Sequence, residues 1–191
     1  MKNAFDTETT GLPNWKIPSD DPSQPHLVEL AALLYNDAGE LVEQFEAIIK
    51  PDGWIIPDDV IAVHGITNEL AMDVGISEAE ALEGFLAIHA KASLRIAHNV
   101  NFDDRIIRIG LKRYFSEEIA DQFKAGPKYC TCQQSRSIVA LPANKLPKLG
   151  EAYKHFTGEE LIEAHRAAAD AAACARVYFG IQALQPVGEV F

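Results

Sequence analysis

Cysteine is scarce: three residues in 191, with Cys130 and Cys132 only two apart. An odd count builds no disulfide framework, and Cys-Thr-Cys lacks a second Cys/His pair at zinc-finger spacing, which excludes a secreted disulfide scaffold and a structural zinc module. Long apolar runs are missing as well. The greasiest stretch, 27–35, is interrupted by Glu29 and far too short to span a bilayer, and Lys2 is not followed by the apolar segment of an export signal. A cytoplasmic protein with no membrane association is expected. Internal repeats, low-complexity tracts and linkers are also absent. Basic residues are outnumbered, 17 Lys and Arg against 28 Asp and Glu for a net charge of -11. Taken whole, that balance argues against a nucleic-acid partner, because phosphate binding rests on Lys and Arg.

What is present suffices for one folded domain: 48% of the residues are apolar, enough for a sizeable core. The acid is unevenly spread. Residues 1–100 hold 5 basic and 17 acidic side chains, residues 101–154 hold 10 and 6, and residues 155–191 hold 2 and 5, so the middle of the chain is a basic island. Within it Arg105, Arg108 and Lys112 recur at helical spacing and would form one cationic stripe, which taken alone is a solvated helix face.

Residues 3–6 precede turn formers and suggest a first strand, while residues 13–26 contain four prolines and exclude helix or central strand. Two β-like runs, 26–36 and 40–50, are joined by Asp37-Ala38-Gly39 and predict a hairpin, hence a three-stranded antiparallel meander. Helices are expected from residue 57, where Pro and two acids stand, and from residue 76, with Ser77 as N-cap. Further along, short strands are expected at 93–98 and 128–131, and helices over 101–115, 133–141, 146–156 and 164–184, the last with an alanine run of high helix propensity. A meander followed by alternating strands and helices is α/β, a mixed sheet with helices packed on it.

Asp6 and Glu8 are two apart, so on a strand they share a face, and the reading places them at its C-terminal end. Such close like charges repel, and a hard divalent cation would hold them; alone, the pair is as readily two solvated acids at a loop entrance. Asp103 lies just past the short strand at 93–98, at a strand-to-helix corner of the kind that carries function in parallel sheets. Asp170 is the single charge in an otherwise all-alanine stretch, 167–173, which suggests a helix pressed close to a neighbour. His165 is five residues earlier, roughly 140° away on an unbroken helix, so it is expected on the lead-in 157–165, from which it could reach over the acids. Imidazole, with a usual pKa of about 6.5, suits deprotonation of water at neutral pH.

Phe5–Gly11, His98–Asp103 and Ala164–Asp170, in this order and spacing, resemble the three motifs of the DnaQ-like, DEDDh-type 3′–5′ exonuclease family, which includes the polymerase III epsilon subunit and RNase T types. Val63–Thr67 resembles a secondary signature of the same family, and the likeness runs from residue 3 to about 180. It implies an RNase H-like fold with a mixed five-stranded sheet flanked by helices, and a single exonuclease domain over 1–191 with motifs at 5–11, 98–103 and 165–170. By the same resemblance Asp6, Glu8, Asp103 and Asp170 are ligands of two divalent ions, Mg2+ or Mn2+, and His165 is the general base of that catalytic set. Thr7, Thr9 and Leu12 would line the terminal nucleotide's pocket, His64 would contact it, Phe102 would wedge near the bases, and Asp59 would align with a substrate-contacting acid. The implied function is release of nucleoside 5′-monophosphates from the 3′ end of nucleic acid, single-stranded DNA favoured over RNA, alongside a replication or repair partner. The alternatives are an exoribonuclease on short RNA and a catalytically silent binding module of the same fold. Three departures stand out. Cys130 replaces a commonly acidic position, the Pro-rich loop at 13–26 is long, and the chain is expected to lack, at 185–191, the tail by which proofreading subunits grip a polymerase.

Overall fold

The apolar run Leu27–Tyr35 forms strand β2, an inner strand buried almost end to end because helices cover both faces of its sheet. The computed structural model describes residues 1–162 and 164–184, and the tail 185–191 lies outside the described residues. Around β2 stand β1 (Lys2–Thr9), β3 (Leu41–Ile48), β4 (Leu94–Ala97) and β5 (Lys128–Cys130), in the spatial order β3-β2-β1-β4-β5. The β1–β2 and β2–β3 pairs are antiparallel, while β1–β4 and β4–β5 are parallel. The expected meander and mixed five-stranded sheet are therefore present.

Strand β1 is longer than the sequence suggests. It runs to Thr9, so Asp6 and Glu8 sit inside the strand rather than at its end. Full-length pairing with β2 extends it past the apolar residues that a local reading detects. The helices are α1 (Asp58–His64), α2 (Asn68–Val74), α3 (Glu78–His89), α4 (Val100–Tyr114), α5 (Glu117–Ala125), α6 (Thr131–Val139), α7 (Leu149–Thr157) and α8 (Ala167–Leu184). Ser77 caps α3 in a full capping box with Glu80. Helices α2 and α5 go beyond the sequence expectation; both are short, and they are capped by the Thr67 and Ser116 hydroxyls. Helix α7 begins at Leu149 and not at residue 146, since Pro147 disfavours helical geometry in the residue before it.

Two layers hold the sheet. On one face Phe5, Leu30, Ala32 and Leu34 pack with Phe85, Ile106 and Ile107 of α3 and α4. On the other, Ala31 and Leu33 meet Ala167 and Ala171, and Ala4 and Ile96 meet Cys174, Ala175 and Tyr178. The alanine run of α8 thus lets the helix lie close over β1 and β2. All three cysteines are free thiols, and among the described residues no helix is long and apolar enough to cross a membrane.

Candidate active site

The site begins with a mismatch in strand length. β1 pairs with β2 from Lys2 to Thr9, but with β4 only as far as Ala4 opposite Ile96. Asp6, Thr7 and Glu8 therefore overrun their parallel neighbour, leaving a notch at the carboxyl ends of the parallel strands, where open α/β sheets place ligands. Alternation puts Asp6 and Glu8 on the Ala4 face, under α8, and Thr7 on the Phe5 face, under α4.

Two helix starts close the notch. Asn99 takes left-handed geometry (φ 68°), which turns the chain from β4 directly into α4 and carries Asp103 inward. Asp103 is buried, and the Thr7 hydroxyl donates to its Oδ1 at 2.9 Å. From the other face α8 delivers Asp170, also buried, whose Oδ2 accepts the His165 backbone N–H at 3.0 Å. Its Oδ1 is buried with no hydrogen-bond partner among the described residues. His165 sits in a turn before α8, at φ 68°, and its ring is exposed. Off the helix, it escapes the angular separation from Asp170 that an unbroken helix would impose. Glu8, His165 and Asp170 offer ligand atoms that all lie within 4.8 Å of one another.

Crowding shows in the proton affinities. Burial, then the charges of Asp103, Asp170, Glu8 and Glu29, push the Asp6 carboxyl well above the usual carboxylate range. Burial and the Asp170 and Glu29 charges push Glu8 up to about 7, against a smaller downward pull from Arg166. Asp103 is pushed up to about 8 by burial, despite the Thr7 hydrogen bond that favours its charged form. Asp170 is also raised, again mainly by burial. Hard oxygen donors crowded to this degree, with one buried carboxylate oxygen left unpaired, fit divalent cations that prefer carboxylate ligands.

The other sequence-predicted residues are spread around this centre. The Thr9 hydroxyl donates to the Gly11 carbonyl at 2.8 Å, and Leu12 is 85% exposed on the loop that follows. His64 is buried at the end of α1; its Nδ1 accepts the Ile66 N–H at 3.1 Å, and its Nε2 has no partner among the described residues. Burial lowers its pKa, and it feels the charges of Glu29, Arg166 and His165, which places it at the rim of the site. Phe102 packs against the main core from the first turn of α4. Asp59 is exposed in the first turn of α1 and accepts the Val60 N–H.

Sequence reasoning missed Glu29 and Arg166. Glu29 lies opposite Glu8 in the β1–β2 register and is fully buried. Arg166 Nη2 and Nε donate to its carboxylate at 2.7 and 3.1 Å, and the Ala167 N–H donates at 2.7 Å. This clamp ties the start of α8, and with it His165 and Asp170, to the sheet. The one signal in the sequence was Glu29 itself, a lone acid in an otherwise apolar strand.

An exonuclease family, RNase_T, matches residues 4–178. The chain belongs to this exonuclease family. A PolC-type DNA polymerase III of Thermotoga petrophila is 33% identical over 109 residues, which is 57% of this chain and 7% of that protein. A DNA polymerase III subunit epsilon of Treponema pallidum is 28% identical over 124 residues, 63% of this chain and 52% of that protein. The chain thus spans only a fraction of the length of these relatives. Among solved structures, the zinc ion-bound form of an E. coli ExoI–ssDNA complex superposes with a TM-score of 0.77 at 22% identity, over 97% of this chain and 41% of the other. That likeness shows the fold: a mixed α/β sheet of RNase H-like type.

Proposed function

We propose that this chain, acting as one domain over 1–191 in a cytoplasmic setting, is a metal-dependent 3′–5′ exonuclease that releases nucleoside 5′-monophosphates, with single-stranded DNA as its substrate. The observation that carries the reading is the notch itself. Asp6, Glu8, Asp103 and Asp170 arrive there from one strand and two helices, and burial, joined by neighbouring carboxylate charges, raises the proton affinity of each. These four carboxylates would hold two Mg2+ or Mn2+ ions, which when bound activate water and offset charge building on the scissile phosphate. The Thr7 hydroxyl orients Asp103, and the His165 backbone N–H orients Asp170. The exposed His165 imidazole takes the proton from the attacking water. Thr9, Leu12, His64 and Phe102 surround the terminal nucleotide, and Asp59 stands further out along α1. The DNA polymerase III relatives and the ssDNA in the ExoI complex support DNA over RNA, and also support a replication partner.

Matched 5′-labelled DNA and RNA oligonucleotides in Mg2+ or Mn2+ test this directly. DNA should shorten from its 3′ end with release of monophosphates. His165→Ala should lower kcat by about 10²–10⁴-fold while the stabilisation conferred by Mg2+ persists. Full activity in Asp6→Ala would refute the metal assignment, and loss of metal binding in His165→Ala would make His165 a ligand instead of the base.

A further inference from the structure

Outside the acidic notch the described residues gather a concentrated site of opposite charge. A cavity of about 330 Å3 beside α4 is lined by Trp15, Asn101, Arg105, Arg108, Lys124 and Lys128, four cations on a chain of net charge -11. Asp104 also borders it but is already engaged, by Arg95 Nε and Nη2 at 2.7 and 2.9 Å and by Lys128 Nζ at 2.9 Å. Arg105 is held by neutral groups: Nη2 donates to the Ile17 carbonyl at 2.6 Å and to that of Asn14 at 3.4 Å, which orients the guanidinium without cancelling its charge. The carboxylate facing Arg108 is that of Asp121, at 3.7 Å and largely exposed, a pairing that contributes little. The Nε atoms of Arg105 and Arg108 are buried without hydrogen-bond partners among the described residues.

An aromatic platform completes the cavity. Trp15 is 61% exposed, with the Arg105 guanidinium 5.7 Å from its ring centroid. Its loop is pinned: Gln24 accepts the Asn14 N–H at 3.0 Å and donates to the carbonyls of Asn14 and Pro18 at 2.9 Å each. Asn101 and Asp104 lie in the same first turn of α4 as Asp103 but on the outer side of the helix, where with Arg105 and Arg108 they form a stripe centred about 150° around its axis from the inward-facing Asp103 carboxylate, and the lining runs from that turn along the helix to Arg108. At about 1.5 Å per residue that is about 10 Å, the span of roughly three stacked nucleotides.

We infer that this cavity docks the single strand 5′ of the terminal nucleotide, with Arg105 and Arg108 on phosphates and a base stacked on Trp15. Weakly neutralised cations beside an exposed aromatic ring on a pinned loop are the pairing that single-strand binding uses. The inference rests on the exonuclease reading for the identity of the strand, and its test does not depend on catalysis.

In a Trp54→Phe background Trp15 is the sole tryptophan. With Ca2+ in place of Mg2+, its emission would be followed against a thymidylate dinucleotide, a decamer and inorganic phosphate. The decamer should quench Trp15 and the dinucleotide should not. Arg105→Ala and Arg108→Ala should each weaken decamer binding by about tenfold and flatten the log Kd against log salt slope by about 0.7 for each phosphate no longer neutralised, with the weakening growing with oligonucleotide length. Unmoved Trp15 emission in the reporter, which keeps both arginines, overturns the inference even if an arginine variant fails to fold. Quenching by phosphate alone, without length dependence, overturns it in favour of a free-anion site. Absence of hydrolysis by the wild type in Mg2+ would instead sink the exonuclease reading and leave these binding results standing.

Discussion

Glu29 and Arg166 show how burial decides which member of an ion pair matters more. Glu29 is fully buried while Arg166 is 44% exposed. Removing Arg166 leaves a buried carboxylate facing Glu8, whereas removing Glu29 leaves a guanidinium that water can solvate. Arg166→Ala is therefore expected to destabilise by about 3–5 kcal/mol and Glu29→Gln by about 1–3 kcal/mol, as read by urea unfolding. The carboxylate cluster gives a second expectation. Glu8 and Asp103 have folded-state pKa values near 7 and 8, raised above the unfolded value of about 4. Stability from protonating them is fully present below that unfolded value and is lost as pH rises through the folded values. The melting temperature of metal-free protein should thus fall between about pH 5 and pH 8. Mg2+ should restore it mainly at the upper end, and Asp103→Asn should flatten the profile. A metal-free melting temperature that rose across the same window would contradict this account of the cluster.

Among the elements, the decisive feature is that β1 outruns β4, because pairing continued past Ala4 would fill the notch that Asp6 and Glu8 occupy. Helix α8 could not approach this edge with bulkier residues at 167 and 171, where the contacts are alanine on Ala31 and Leu33. The link between the α2–α3 connection and β3 is equally tight. A Cβ on Gly75 would lie 2.3 Å from the Ala71 carbonyl oxygen and 2.6 Å from the Lys50 nitrogen, both backbone atoms that cannot swing aside. Gly75→Ala should therefore cost about 1–3 kcal/mol through overpacking, a loss that calorimetry would register; an unchanged melting temperature would show that this connection yields.

For the whole molecule, the acid excess and the small basic cavity act against each other. Surface repulsion limits the footprint on a polyanion to the site and the cavity on α4, so binding should weaken with salt only in proportion to the few phosphates neutralised there, and processivity should be low. In a degradation assay with DNA in excess, many chains should shorten together; full digestion of a few while the rest stay intact would contradict this.

The α/β class, most helices and the three motifs were legible in the sequence because they depend on local patterns: apolar alternation, capping residues and acids at strand-to-helix corners. The alternation of apolar and polar residues fails inside β1, where the polar Asp6 to Thr9 continue a strand on pairing with β2 alone. Glu29 looked like an interruption of an apolar run, since nothing within a few residues of it names Arg166 as its partner. The sequence by itself determined which acidic side chains are candidates for one site, through three motifs that resemble those of a known family. Only the tertiary structure decided that they meet, because register, strand length and a close helix contact are set by packing between segments far apart in the chain.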